Sequence, residues 1–166
     1  MDARTHKKRT MSRWGIGWKI IAVSAPYAVV AIIVSLFLPE YVHIDVIPYP
    51  WMVSAGGVLV IMGVLFLVRA AREFNTGFNQ CRLVTSGVYG HVRNPIYAAW
   101  ILFIIPGIGV ALNSWIVIAT ALVAYVCFRW CIREEEIALE KAFGDEYRGY
   151  RERVPRLVPN PFREPL

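Results

Sequence analysis

The chain has only three cysteines and no C-x-x-C pair, so neither a disulfide framework nor a zinc knuckle is supported. Cys127 and Cys131 stand four residues apart on one helix face, where small apolar packing is the expected role. Cations are missing from long stretches: all 18 lysines and arginines fall within Arg4–Lys19, Arg69–Arg93 and Arg129–Arg163. From Pro95 to Phe128 there is no charged residue of either sign. Internal repeats and low-complexity segments are absent as well. A net charge of +6 could suggest nucleic acid, but basic links alternating with non-basic ones follow the positive-inside pattern of a membrane protein. No nucleic-acid partner is expected; the lipid bilayer, with its anionic headgroups, is.

What is present in quantity is apolar side chain. At 57% hydrophobic and a mean hydropathy of +0.46, the chain exceeds the usual share of about 45–50% for a soluble domain. Its 166 residues leave room for one integral membrane domain and none for a separate soluble catalytic unit. The expected class is all-α and polytopic, with about four transmembrane helices, both termini cytoplasmic and an amphipathic helix near the C-terminus.

Residues 1–19 form a basic arm, poorly ordered before Ser12, in which Trp14 and Trp18 suit the headgroup level. Residues 20–68 hold two spans. Ile20–Leu38 could start as a signal peptide, but it is long enough to span and no small-residue cleavage site follows it. Pro26 is a candidate kink, and the helix stops at Leu38-Pro39. The Glu40–Pro50 link contains His43, read as an ordinary loop residue. The second span, Trp51–Val68, carries Gly56-Gly57 and Gly63 for close helix approach. A polar connector without periodicity follows from Glu73 to Arg82.

As one helix, Pro95–Phe128 would overshoot a hydrocarbon core of about 30 Å by more than half. It must fold back, most naturally at Leu112-Asn113-Ser114 with Ser114 capping the returning helix, although Pro106-Gly107-Ile108-Gly109 could break it earlier. From Arg133 the pattern becomes amphipathic, with a break at Gly144. The tail Val154–Pro159 is too rich in proline for a helix.

Chemistry concentrates in the hinge Leu83–Tyr97 and the run Arg133-Glu134-Glu135-Glu136. Asn94-Pro95 before an apolar run is a helix start, Asn as N-cap and Pro as N1. Such a start at the membrane face can bind an anion, and Arg93 can add a bidentate grip; both residues could equally be structural. Gly87 and Gly90 would let backbone approach a ligand. Tyr89 and Tyr97 could stack on a flat base or serve as interfacial aromatics. His91 could bind or move a proton, though it has no evident partner. The three glutamates project about 100° apart on a helix, so at most two share a task and one is solvated. No metal-ligand set accompanies them, and the inventory suits a zwitterionic, cationic cofactor.

The hinge, the glutamate run, Phe143-Gly144-Asp145-Glu146-Tyr147 with Tyr150, and Arg153-Val154-Pro155 together resemble the C-terminal half of isoprenylcysteine carboxyl methyltransferases. Their superfamily includes phospholipid N-methyltransferases. The resemblance covers residues 83–159 and implies S-adenosyl-L-methionine as methyl donor, bound between hinge and glutamates. It implies that Glu135, then Glu136 or Glu134, holds the methionine ammonium or ribose hydroxyls. Arg93 with the Asn94-Pro95 start would take the carboxylate, while Gly87, Val88 and Tyr89 line the adenosine. His91, Tyr97 and Tyr147 complete the cofactor wall. Arg129, Arg133 and Tyr97 are the catalytic candidates. Asn94 stands where this family commonly has histidine, which keeps hydrogen bonding and removes charge.

A carboxylate acceptor is already ionised at neutral pH and needs only positioning, whereas an amine needs a base. The arginines therefore favour carboxyl methylation of a lipophilic small molecule or prenylated substrate. A phospholipid amine or small thiol is the alternative acceptor; a sterol-type membrane reductase and a non-catalytic scaffold are the alternative classes. Nothing in the apolar segments fixes the acceptor's tail or the oligomeric state.

Overall fold

The computed structural model describes residues 15–44 and 46–159. The expectations for Trp14 and for the arm before Ser12 lie outside those residues. Uncharged beyond Lys19, α1 (Gly17–Phe37) runs through Pro26 and ends where Leu38-Pro39 interrupts it. Pro39 then starts a one-turn helix, α2 (Pro39–Val42), inside the link.

The second long helix, α3, spans Tyr49–Asn79, about 46 Å at 1.5 Å per residue. It does not stop near Val68, and the segment read as a connector is helical as far as Asn79. One face explains this: Ala70 and Gly77 are buried, and Gly77 packs on Val84. The polar residues on the other faces stand beyond the apolar stretch, where they need no periodicity to be solvated.

The uncharged run folds back as expected. α4 (Pro95–Ala111) descends, with wide π turns over Ala99–Ile104. Those turns directly precede Pro106, whose ring would crowd the carbonyl four residues back in a regular helix. Leu112-Asn113-Ser114 makes the reversal, and α5 (Trp115–Phe143) returns. Ser114 occupies the N-cap position but makes no side-chain cap; its hydroxyl instead pairs with that of Ser35 on α1. The amphipathic segment from Arg133 is not a separate helix either. No Gly or Pro lies between Trp115 and Phe143, so α5 continues through it for about 43 Å. It breaks at Gly144, where φ is +57°, before α6 (Asp145–Arg153).

Three helices, α1, α3 and α5, are long and apolar enough to cross a membrane, and α4 is a shorter apolar fourth. They pack in the order α3, α4, α5, α1. Between α3 and α4 the backbones nearly touch: a Cβ on Gly56 would lie 2.4 Å from the Ala111 amide nitrogen and 2.5 Å from the Gly107 carbonyl. Large apolar side chains such as Val30, Phe37, Ile61 and Leu65 remain exposed on α1 and α3, an arrangement that only a lipid solvent makes favourable. The main core lies at the opposite end from the Leu112–Ser114 turn. There Ile16, Ile20, Ala98, Phe128, Ile132 and Leu157 bring together the starts of α1 and α4, the middle of α5 and the tail, with Cys127 buried among them.

Candidate active site

The hinge becomes a wall because several elements hold it. Gly87–Gly90 forms a single 3-10 turn. The Val88 N–H donates to Glu73 Oε2 of α3 at 2.9 Å, and the buried Tyr150 hydroxyl donates to the Tyr89 carbonyl at 2.7 Å. Burial raises the Tyr89 and Tyr150 phenols well above their ordinary range, so both stay protonated. His91 is exposed, and its Nδ1 lies 3.0 Å from the Gly87 carbonyl, so it closes its own turn.

Asn94 is the N-cap of α4 by position, with Pro95 at N1, as the spacing predicts. Its side chain makes no cap bond; Nδ2 donates to the Arg156 carbonyl at 3.3 Å. The backbone N–H groups of Arg93 and Asn94 donate to the carbonyls of Pro155 and Arg156, at 2.8 and 3.1 Å. These two donors, which precede the first helical residue, are therefore spent on the tail. The Arg93 side chain stands beside the helix start as a further donor.

The three glutamates separate into three environments. Glu134 is exposed and pairs with Lys19, the solvated member that helical geometry requires. Glu135 Oε2 accepts from the Tyr97 hydroxyl at 3.0 Å and from the Ile16 backbone N–H at 3.3 Å. Tyr97 in turn packs on Phe128, ring centroids 5.4 Å apart. Glu136 is buried and accepts a fork from Arg156, Nε at 2.9 Å and Nη2 at 2.7 Å. With both oxygens so engaged, Arg93 Nη1 approaches Glu136 Oε1 at 3.0 Å without hydrogen-bond alignment. The Arg93 side chain is 9% exposed, yet its Nε and Nη1 have no hydrogen-bond partner. A buried guanidinium with unspent donors is costly unless an anion or polar ligand meets it.

Tyr147, 2% exposed, stands close to both charges. Burial first, and the Glu136 carboxylate second, push its phenol up to about 12, so it donates hydrogen bonds throughout the neutral range. Outside this buried set, Arg129 and Arg133 line an open groove of about 480 Å³ together with Glu136, Glu140, Arg151 and Arg156. Glu140 is held by Arg148 and Arg151. Arg129 and Arg133 make no ion pair among the described residues, although their i, i+4 spacing sets like charges side by side.

The structure thus gathers Arg93, Glu136 and Tyr147 into one cluster and Tyr97 with Glu135 into an adjoining one. Gly87, Val88 and Tyr89 lie in the clamped turn, while Arg129 and Arg133 lie in the groove. Three contributors escaped the sequence reading. Glu73 hid in the supposed connector, where the i, i+4 spacings of Arg69/Glu73 and Phe74/Phe78 were the helical signals. Arg156 hid in a proline-rich tail that gives no sign of its partner. Ile16 contributes through its backbone, which no side-chain pattern records.

A phospholipid methyltransferase family model matches residues 50–146, beginning upstream of the hinge, in the second span. The protein-S-isoprenylcysteine O-methyltransferase of Rattus norvegicus is 33% identical over 134 residues, 75% of this chain and 45% of that protein. The Homo sapiens protein of the same name is 31% identical over an equal length, again 75% and 45%. An Arabidopsis thaliana relative, protein-S-isoprenylcysteine O-methyltransferase B, is 29% identical over 84% of this chain and 76% of its own length. Among solved structures, a eukaryotic intramembrane Ras methyltransferase, isoprenylcysteine carboxyl methyltransferase, superposes with a TM-score of 0.63. It is 26% identical, and the match covers 84% of this chain and 51% of that one. The chain spans about half the length of the animal relatives it matches.

Proposed function

The chain belongs to the phospholipid methyltransferase family, and on that premise we propose that it transfers a methyl group from S-adenosyl-L-methionine to a membrane-partitioned acceptor. The preferred reaction is isoprenylcysteine-type carboxyl O-methylation. The observation that carries this reading is Arg93, buried beside Glu136 with Nε and Nη1 lacking hydrogen-bond partners, two residues before the start of α4. It suits the carboxylate of an amino-acid ligand. The names of the relatives support the chemistry.

The residues present fit that cofactor. Arg93 would receive the carboxylate, with the Tyr147 phenol as a nearby donor. Glu135, steadied by Tyr97 and the Ile16 N–H, would hold the ammonium or the ribose hydroxyls. The Gly87–Tyr89 turn would line the adenosine, and Asn94-Pro95 fixes the turn against α4. When bound, the cofactor supplies a methyl group on a sulfonium, open to in-line displacement. The protein's task is then alignment in a dry site. Phe128, fully buried against Tyr97, excludes water from that side. Arg129 and Arg133 would orient an acceptor carboxylate, which needs no general base.

A phospholipid amine as acceptor is the second reading, supported by the description of the matching family. The arginine-lined groove favours an anion over an amine. The positive-inside pattern would put the site, and both termini, on the cytoplasmic face, where a soluble cofactor arrives from water and the acceptor through lipid.

Calorimetry on the purified protein in lipid, with S-adenosylhomocysteine as ligand and NADPH as control, tests the class. Binding of the first alone is expected; binding of NADPH alone would favour a reductase, and binding of neither a scaffold. Glu135→Ala should abolish S-adenosylhomocysteine binding, and unchanged affinity would remove Glu135 from the site. Labelled methyl donor supplied with a prenylated carboxylate, a phospholipid amine or a thiol then identifies the acceptor.

A further inference from the structure

We propose that Glu73 is a positioning residue for the cofactor, acting through the Gly87–Gly90 turn. The proposal rests on the reading of that turn as the adenosine wall. The first N–H groups of a short 3-10 turn have no partner within it, and no side chain of this turn's own N-cap, Ser86, supplies one. Glu73 does so from another helix: its Oε2 accepts the Val88 N–H at 2.9 Å. The carboxylate is 25% exposed, and Arg69 Nε lies 3.5 Å from its other oxygen, one helical turn back on α3. A charged acceptor at the start of the turn also complements its dipole.

Two features show that the turn is built around this carboxylate. Gly87 has φ +64°, and a Cβ there would fall 2.4 Å from Glu73 Oε1 and 2.6 Å from both Cδ and Oε2. A side chain at 87 would therefore be strained and would also push Glu73 away from Val88. The remaining ties on the turn come from elsewhere, the Tyr150 hydroxyl on the Tyr89 carbonyl and His91 on the Gly87 carbonyl. Glu73 is thus what references the turn to α3, and the extension of α3 beyond the apolar stretch brings it there. Without the carboxylate, Val88 and Tyr89 would lose their register against the ligand while the Arg93–Glu136–Arg156 cluster stayed intact.

The test uses the full chain in lipid and three variants, Glu73→Ala, Glu73→Gln and Gly87→Ala. S-adenosylhomocysteine affinity is read by calorimetry, and acceptor KM and kcat by methyl transfer. Removing a hydrogen bond to a charged group should weaken binding of the homocysteine analogue by about tenfold or more in Glu73→Ala. Acceptor KM should stay within about twofold. Glu73→Gln, which keeps an amide oxygen for Val88, should recover affinity to within about threefold of the parent. Gly87→Ala should reproduce the Glu73→Ala loss, and it carries the test if Glu73→Ala does not fold. If the parent binds S-adenosylhomocysteine and the variants bind it equally well, or lose cofactor and acceptor affinity alike, the positioning role is overturned while the methyltransferase reading stands. If the parent does not bind it, that reading falls, and the role of Glu73 falls with it.

Discussion

The two ends of the helix bundle are closed by opposite means. At the Leu112–Ser114 turn no lysine or arginine makes an ion pair among the described residues: the Ser35 and Ser114 hydroxyls pair in a buried contact, His43 bridges to Ser114, and the Ile44 N–H donates to the Asn113 carbonyl at 3.2 Å. Hydroxyl and backbone groups pair with one another there, although Asn113 Oδ1 is buried without a hydrogen-bond partner, and glycines bring α3 and α4 together. At the other end α5 is joined by charge to α1, the hinge and the tail, with Arg93, Glu136 and Arg156 buried or half-buried and Lys19 reaching Glu134. One end can be rigid because it has only to turn the chain. The other keeps donors in reserve, and a buried charge network is a costly way to hold helices unless a ligand uses it.

Substitutions should separate the two ends in order of size. Glu136→Ala would leave Arg93 and Arg156 uncompensated and should cost about 3–5 kcal/mol of stability, with loss of methyl transfer, measured by denaturant unfolding and by activity. Gly56→Leu would force α3 from α4 and should cost about 1–3 kcal/mol; because its site lies near the neutral end, cofactor affinity per folded molecule should hardly change. Ser35→Ala, leaving Ser114 buried without its partner, should cost about 1–3 kcal/mol at most and spare activity. Tyr150→Phe, which frees the Tyr89 carbonyl, should cost about 1 kcal/mol but lower cofactor affinity. Smallest of all, Lys19→Gln breaks an exposed pair and should leave the unfolding midpoint almost unchanged, a small effect that added salt also removes. If Gly56→Leu and Tyr150→Phe damaged cofactor binding equally, the division of labour between the ends would be wrong.

Much of this was legible in the residues. Absence of charge from Pro95 to Phe128 forced a hairpin, and it turns at the predicted Leu112–Ser114. Asn94-Pro95 marks the start of α4, and Gly144 the end of α5. The wide spread of three consecutive glutamates assigned one to solvent, and Glu134 took that place. Less legible was everything decided by partners far along the chain. Ser114 and Asn94 have the right residue types for capping, but nearby acceptors on α1 and the tail competed successfully for their side chains. The helical character of Glu73–Asn79 was hidden because a helix end bathed in water or headgroups needs no apolar stripe beyond Ala70 and Gly77. Arg156 drew no notice because its worth depends on Glu136, on a different element.

The strap of Pro155 and Arg156 across the hinge also has a bearing on biosynthesis. The backbone donors of Arg93 and Asn94 meet carbonyls encoded some sixty residues later. During synthesis the apolar helices can therefore enter the bilayer well before their polar end is complete. A chain ending before Val154 would keep its apolar helices yet lack the carbonyls that receive the Arg93 and Asn94 N–H groups.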